Sequence, residues 1–327
     1  MPRRGRMADG VATKRSSGKR LPLFARLLEA LRSRAASPAP AAATEPGAAR
    51  ESAAASPERR ASARAVAPPD PVTVRQWLYG TGFIIPGGPH YVLELVKPFH
   101  LGPSMTMLEL GSGLGGPARA IAEAFDTYVT GYERDPEFAK RATDETNLRG
   151  LSRHVQIQPY DPESIELRAG FFDHVLAREA TYNVAQKERL LRVLNQAMKP
   201  FGQLILNDFV LDRAAGERAE LAAWEETEAA TQKPQLWTAA QYSDCFKSLG
   251  FDLRIAQDVT PEYRRLILHA WKLFIDEGQL HHLKASQALP VIDEVERTAK
   301  AIAALESGAL KFFSFVALGG RRRSVVS

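Results

Sequence analysis

Cysteine is nearly absent from this chain of 327 residues: Cys245 stands alone, which excludes a disulfide framework and any multi-thiolate zinc or iron–sulfur site. Long apolar runs are also missing. No stretch reaches the roughly 18 uninterrupted apolar residues that a membrane-spanning helix needs. The apolar segment that starts at Leu21 is broken by Arg26 and Glu29, unlike the core of a signal peptide. The histidines show no metal-cage spacing, so no metal site is expected. These absences predict a cytoplasmic protein.

A one-signed charge balance is lacking too, although the net charge of +5 suggests otherwise. Residues 1–70 carry fourteen Lys/Arg against six acids, a net of +8, and the other 257 residues carry 29 bases against 32 acids, a net of −3. The basic character therefore belongs to the tail, which argues against a nucleic-acid partner for the body. The tail is rich in Ala, Pro and Ser and buries too little apolar surface to offset its ordering entropy, so 1–70 is expected to be disordered. Within it, Leu21, Phe24, Leu27, Leu28 and Leu31 fall at helical spacing beside Arg20, Arg26, Arg32 and Arg34. Such a segment suits a peripheral membrane surface or a protein groove, contacted through residues 1–34, or the chain's own body. Pro68, Pro69 and Pro71 mark the boundary with a domain at 71–320, and Arg321, Arg322 and Arg323 begin a short basic C-terminal tail at 321–327.

What is present from Pro71 onward is an alternation of strands and helices. Met105–Leu110, Tyr128–Glu133, His154–Tyr160, Phe172–Ala177 and Gln203–Leu211 read as strands, separated by helical stretches such as Pro117–Phe125, Pro136–Asn147 and Gln186–Met198. That order predicts a Rossmann-like, doubly wound α/β sheet. The turn Lys199-Pro200-Phe201-Gly202 is placed before the fifth strand.

The chemistry concentrates after the first strand, in Glu109-Leu110-Gly111-Ser112-Gly113-Leu114-Gly115-Gly116. Glycines at a strand-to-helix turn let a ligand approach the backbone at the carboxyl end of a parallel sheet. Gly111, Gly113 and Gly116 also satisfy the dinucleotide pattern, so a nicotinamide oxidoreductase stays in view. Glu133 ends the second strand, twenty residues after Gly113, where a carboxylate accepts hydrogen bonds from ribose hydroxyls. Asp161 follows the third strand, a place from which a carboxylate can meet an adenine amino group, and Glu109 sits within the first strand. Together these residues favour an adenosyl ligand. No Tyr-x-x-x-Lys pattern accompanies them.

The glycine loop, Glu133, Asp161, the strand Phe172-Asp173-His174-Val175 and the turn Lys199–Gly202 resemble, in that order, the class I S-adenosylmethionine-dependent methyltransferases. The resemblance spans about residues 75–212 and more loosely reaches 320. It implies a seven-stranded sheet with an antiparallel last strand, built from Phe251–Ile255 and Phe312–Leu318. It also implies S-adenosyl-L-methionine as cofactor, with Gly111, Gly113 and Gly115 along the methionine portion, Glu133 on the ribose and Asp161 on adenine. The segment Tyr79-Gly80-Thr81-Gly82-Phe83-Ile84-Ile85-Pro86-Gly87-Gly88 and the loop Arg178-Glu179-Ala180-Thr181-Tyr182-Asn183-Val184 resemble the phosphoethanolamine methyltransferase subgroup. This adds Tyr79 and Arg178 to the cofactor side. Two departures stand out: Asn183 replaces the loop's histidine and Arg75 replaces a tyrosine. Glu179, Tyr182 and Asp208, at or just past strand ends, are the candidate catalytic residues. Residues 212–310, with Trp224, Trp237, Tyr242, Tyr263, Trp271 and Phe274, are read as a substrate cover. The reading is methyl transfer to a small-molecule or lipid-like acceptor, and its alternative is a non-catalytic methyltransferase-fold binding or scaffold protein.

Overall fold

The computed structural model describes residues 21–36, 69–278 and 283–319. Helix α1 (Leu21–Ala36) is followed by α2 (Pro71–Tyr79) and α3 (Gly88–Leu95). The sheet then begins: β1 (Thr106–Leu110), α4 (Gly116–Phe125), β2 (Tyr128–Glu133), α5 (Pro136–Leu148), β3 (Val155–Pro159), β4 (Phe172–Arg178), α6 (Lys187–Ala197) and β5 (Met198–Leu211). The remainder comprises α7 (Ala219–Ala229), α8 (Ala239–Ser248), β6 (Asp252–Asp258), α9 (Thr260–Asp276), α10 (Ala285–Ser307) and β7 (Leu310–Leu318).

Seven strands form one sheet in the order β3-β2-β1-β4-β5-β7-β6, with β7 antiparallel to both neighbours. The first five strands are parallel because each is joined to the next by a crossover. Chain order reverses between β1 and β4, so the ends of these two strands open the crevice where a ligand lodges. Both faces are covered. In β5, Ile205 and Phe209 enter one core while Leu204, Leu206 and Val210 enter the other. In β7 the split is Leu310 and Phe312 against Phe315 and Ala317. The first core holds α4, α5, α9 and α10, and the second holds α6 and α8.

Two sequence expectations need correction. The turn Lys199–Gly202 does not precede β5 but bulges from within it. Met198 already pairs with Phe172, and the ladder resumes at Gln203 opposite His174. Phe201, at φ 64° and exposed, marks the bulge. The basic amphipathic segment is helical, but its apolar face is taken: Phe24, Leu27 and Leu31 are buried along α10, and Phe24 meets the edge of Trp271 at 6.2 Å. Arg32 bonds Glu296 of α10 at 2.9 Å. A membrane or partner groove would need that face free, so α1 belongs to the body. The rest of the tail expectations, at 1–20 and 37–68, and the C-terminal tail at 321–327, lie outside the described residues.

Candidate functional site

The glycine loop folds as its composition requires. Gly111, Gly113 and Gly115 have φ of 78°, 55° and 75°, a region closed to most side chains. A Cβ on Gly111 would also lie 2.9 Å from the Cβ of Ala180, so the loops after β1 and β4 touch where a side chain would hold them apart. Glu133, at the end of β2, is nearly buried. Its two carboxylate oxygens accept from Gly113 N (2.6 Å) and Asp135 N (2.9 Å), which leaves lone pairs for two ribose hydroxyls. Burial raises its pKa although these N–H groups oppose the shift. Asp161, expected to meet adenine, follows β3 and is exposed. It accepts from Glu163 N (3.0 Å) and Ser164 Oγ (2.7 Å), and those bonds lower its pKa.

At the other end of the loop lie two buried groups of opposite charge whose bonding capacity is unfilled. Glu109 is 3% exposed, its Oε2 has no partner among the described residues, and burial pushes its carboxyl up to about 7. Arg178 is 5% exposed; its Nη2 donates to Pro86 O at 2.7 Å while Nε and Nη1 have no acceptor. Its guanidinium packs on the Tyr91 ring, 5.1 Å from the centroid. Buried polar atoms seldom go unpaired. An amino-acid end bearing a carboxylate and an ammonium would satisfy both, so these residues fit the methionine portion of S-adenosylmethionine.

The lead-in segment roofs the loop. Ile84 lies over Gly113, and Gly116 N donates to Gly82 O at 3.1 Å. A Cβ on Gly116 would sit 2.5 Å from that same oxygen, so glycine is required. Tyr79 is buried beside Glu294, Arg297, Arg75 and Glu179, and burial raises its pKa.

Glu179 follows β4 at φ 50°, an uncommon conformation for a side-chain-bearing residue, held by a bond from its N–H to Asn207 O (2.9 Å). Tyr263 of α9 donates its hydroxyl to Glu179 Oε1 at 2.9 Å. Burial pushes this carboxyl up to about 7, and Arg178 pulls the other way. Tyr182 donates to Glu228 Oε2 of α7 at 2.9 Å. Asp208, fully buried and raised to about 6 by burial, accepts from Thr181 N (2.7 Å), Thr181 Oγ1 and Phe209 N (2.8 Å). Its oxygens are thus committed to holding the loop after β4. Lys187, 1% exposed, clamps the same loop by donating to Val184 O and Gln235 O.

The two departures from the phosphobase pattern each have local partners. Arg75 Nε donates to Glu294 at 3.1 Å, and Arg297 Nη2 donates to the other oxygen of Glu294 at 2.7 Å and bridges through Nη1 to Glu228 at 3.3 Å. Burial works against the charge on Glu294, but the two guanidiniums outweigh it and its pKa is lowered. Asn183 accepts from Arg134 Nη1 at 3.2 Å. Sequence reasoning missed Glu228, Glu294 and Arg297 as site groups, because the bonds that tie them to Tyr182 and Arg75 join residues far apart in the chain; the aromatic richness of 212–310, which includes Tyr263, is the signal the sequence offers. No group of three or more potential metal ligands occurs among the described residues.

This sheet order, with an acid-flanked glycine loop under β1 and a carboxylate ending β2, defines the class I S-adenosylmethionine-dependent methyltransferase fold. The methyltransferase-domain family matches residues 88–254, just over half of the sequence, and the chain belongs to that family. Among curated relatives, phosphoethanolamine N-methyltransferase 2 of Caenorhabditis elegans is 26% identical over 194 residues, which cover 59% of this chain and 43% of the relative. The 27-O-demethylrifamycin SV methyltransferase of Amycolatopsis mediterranei is 26% identical over 184 residues, 55% of this chain and 67% of the relative. Among solved structures, phosphoethanolamine N-methyltransferase 2 of Haemonchus contortus, with phosphomonomethylethanolamine and S-adenosylhomocysteine, superimposes at a TM-score of 0.67 and 20% identity, covering 76% of this chain and 57% of that one. The chain thus spans less than half the length of the curated phosphoethanolamine relative that it matches.

Proposed function

We propose that this chain transfers the methyl group of S-adenosylmethionine to a small-molecule or lipid-like acceptor, with Glu179 as the base that receives the acceptor's proton. The carrying observation is Glu179 itself: a half-buried carboxyl that desolvation holds at about 7, in an uncommon backbone conformation, where the loop after β4 meets the glycine loop. When bound, the cofactor supplies an electrophilic methyl carbon and a good leaving group. Arg178 and Glu109 would hold its amino-acid end, Glu133 its ribose and Asp161 its adenine. Ile84 and the lead-in roof would exclude water from the transfer site. The unprotonated Glu179 carboxylate takes one proton from an ammonium or hydroxyl, and Tyr263 keeps that carboxylate oriented.

Asp208 and Tyr182 serve as positioning groups in this reading, since Asp208 is spent on Thr181 and Tyr182 on Glu228. The acceptor differs from a phosphobase. Arg75 of α2 and Arg297 of α10 already face Glu294, and Asn183 faces Arg134. An acceptor with an apolar body and an N–H or O–H nucleophile would suit the aromatic cluster of Phe209, Trp224 and Tyr182 that packs beside the loop after β4. The test is S-adenosylhomocysteine formation with a panel of hydrophobic amines and phenols set against phosphoethanolamine, for wild type and Glu179→Gln. Turnover of an apolar acceptor, lost in the variant, supports the reading. Turnover of phosphoethanolamine, or an unimpaired variant, overturns it.

A further inference from the structure

Outside the acceptor site, a cavity of about 110 Å3 lies between the lead-in segment and the helices that flank the glycine loop. Gln76, Thr81, Gly82, Leu114, Arg119, Arg141 and Glu145 line it. Arg119 sets it apart. It is 2% exposed, yet no carboxylate lies within bonding distance of it among the described residues. Its Nη1 donates to Thr146 Oγ1 (3.1 Å) and Ala142 O (3.3 Å), its Nη2 to Leu114 O (2.9 Å), and its Nε to nothing. A guanidinium stays charged at any ordinary pH, and a buried charge without a counter-ion is costly. Burial works against its charged form, and Glu145, Glu109 and Glu123 relieve it only from a distance.

The remaining wall is suited to a negative guest. Arg141 adds a second guanidinium at the half-open rim, with Asp70 3.3 Å away. The one carboxylate of the lining, Glu145, is engaged by Arg149 Nε at 2.7 Å. Thr81 brings a hydroxyl. The side-chain oxygen of Gln76 accepts from Gly82 N at 2.8 Å, so its amide nitrogen remains a donor. The cavity also touches the lead-in segment at its tightest point. A Cβ on Gly82 would lie 2.6 Å from Arg119 Nη2 and 3.0 Å from Gly116 Cα.

We propose that this cavity binds a tetrahedral oxyanion of the phosphate or sulfate class, neutralising Arg119 and fastening the lead-in segment to α4 and α5. Bidentate geometry and charge make arginine pairs effective hosts for such ions. The test is calorimetric titration of the full chain, in a chloride-matched buffer, with inorganic phosphate, sulfate and glycerol 3-phosphate, repeated on Arg141→Gln and Arg119→Met. One saturable phosphate site is expected in the wild type, weakened about tenfold or more in Arg141→Gln. Hydrogen exchange across residues 79–88 slows when phosphate is added to the wild type. Equal binding of glycerol 3-phosphate assigns the site to a phosphate headgroup, and preference for the inorganic ions assigns it to the free anion. Should Arg119→Met fail to fold, Arg141→Gln decides alone, because its side chain sits at the rim. Absence of saturable phosphate binding in the wild type, or unchanged affinity in Arg141→Gln, overturns the proposal.

Discussion

Glu179, half-buried, and Glu109, buried, are both carboxyls that desolvation holds near 7, and their opposite consequences separate them experimentally. On the proposed function the ionised form of Glu179 is the active one, so kcat/KM is expected to rise as pH climbs through 7 and to level above it. Tyr263→Phe removes a hydrogen bond that favours the carboxylate, which moves this rise to higher pH. Glu179→Gln flattens the profile and lowers kcat by about 10² to 10⁴. Rates of S-adenosylhomocysteine formation between pH 5.5 and 9 check all three. For Glu109 the folded pKa lies above the ordinary value of 4.5, so the carboxyl is tolerated in its protonated form and burdens the fold once ionised. Stability is lost as pH rises from about 4.5 to about 7. Glu109→Gln is therefore expected to be about 2 to 3 kcal/mol more stable than wild type at pH 8 and equal to it at pH 4, by urea unfolding. The same variant binds S-adenosylmethionine more weakly. At this scale the sequence was legible where spacing is local: the glycines, Glu109 and Glu133 fall on consecutive β–α units. The bond between Glu179 and Tyr263 spans 84 residues, and no local pattern carries it.

Elements tell a similar story. The apolar stripe of α1 follows directly from helical spacing, but the surface that covers it, on α9 and α10, lies more than two hundred residues away in the chain. A stripe of this kind reads alike whether it meets a bilayer, a partner or its own body, because burial of apolar area is indifferent to the source of the cover. Leu31→Ala, at a fully buried position, is expected to cost about 2 to 5 kcal/mol in urea unfolding, as core leucines do. A free membrane helix would lose nothing by that change. The bulge in β5 was misplaced for a different reason: Pro200 and Gly202 signal a turn, and only the pairing of Met198 with Phe172 shows that the strand has already begun. Lys187 acts between elements, tying the loop after β4 to the segment before α8. Lys187→Met leaves those carbonyls unsatisfied and is expected to raise KM for the acceptor while leaving the affinity for S-adenosylhomocysteine within twofold, about 0.4 kcal/mol.

Across the whole molecule, the parallel half of the sheet supplies the proposed cofactor side, and α7, α9 and α10 bring Glu228, Tyr263 and Arg297 to the proposed acceptor side. Alternation of strands and helices made the first half readable, along with the antiparallel closing pair. The second half depends on helices inserted around β6, whose docking is decided by packing. Ligand binding links the halves: S-adenosylhomocysteine at a hundred times its Kd raises stability by about 2.7 kcal/mol, and Glu133→Ala abolishes most of that rise in a thermal melt. The glycine contact between Gly82 and Gly116 has a kinetic meaning as well. The roof is fastened to the cofactor helix by a backbone bond and to the end of β4 by the bond from Arg178 to Pro86. On the proposed function, a spent cofactor leaves only after both fastenings open. In a preformed complex with S-adenosylmethionine the first turnover is then expected to outpace those that follow, whose pace is set by the lifting of the roof.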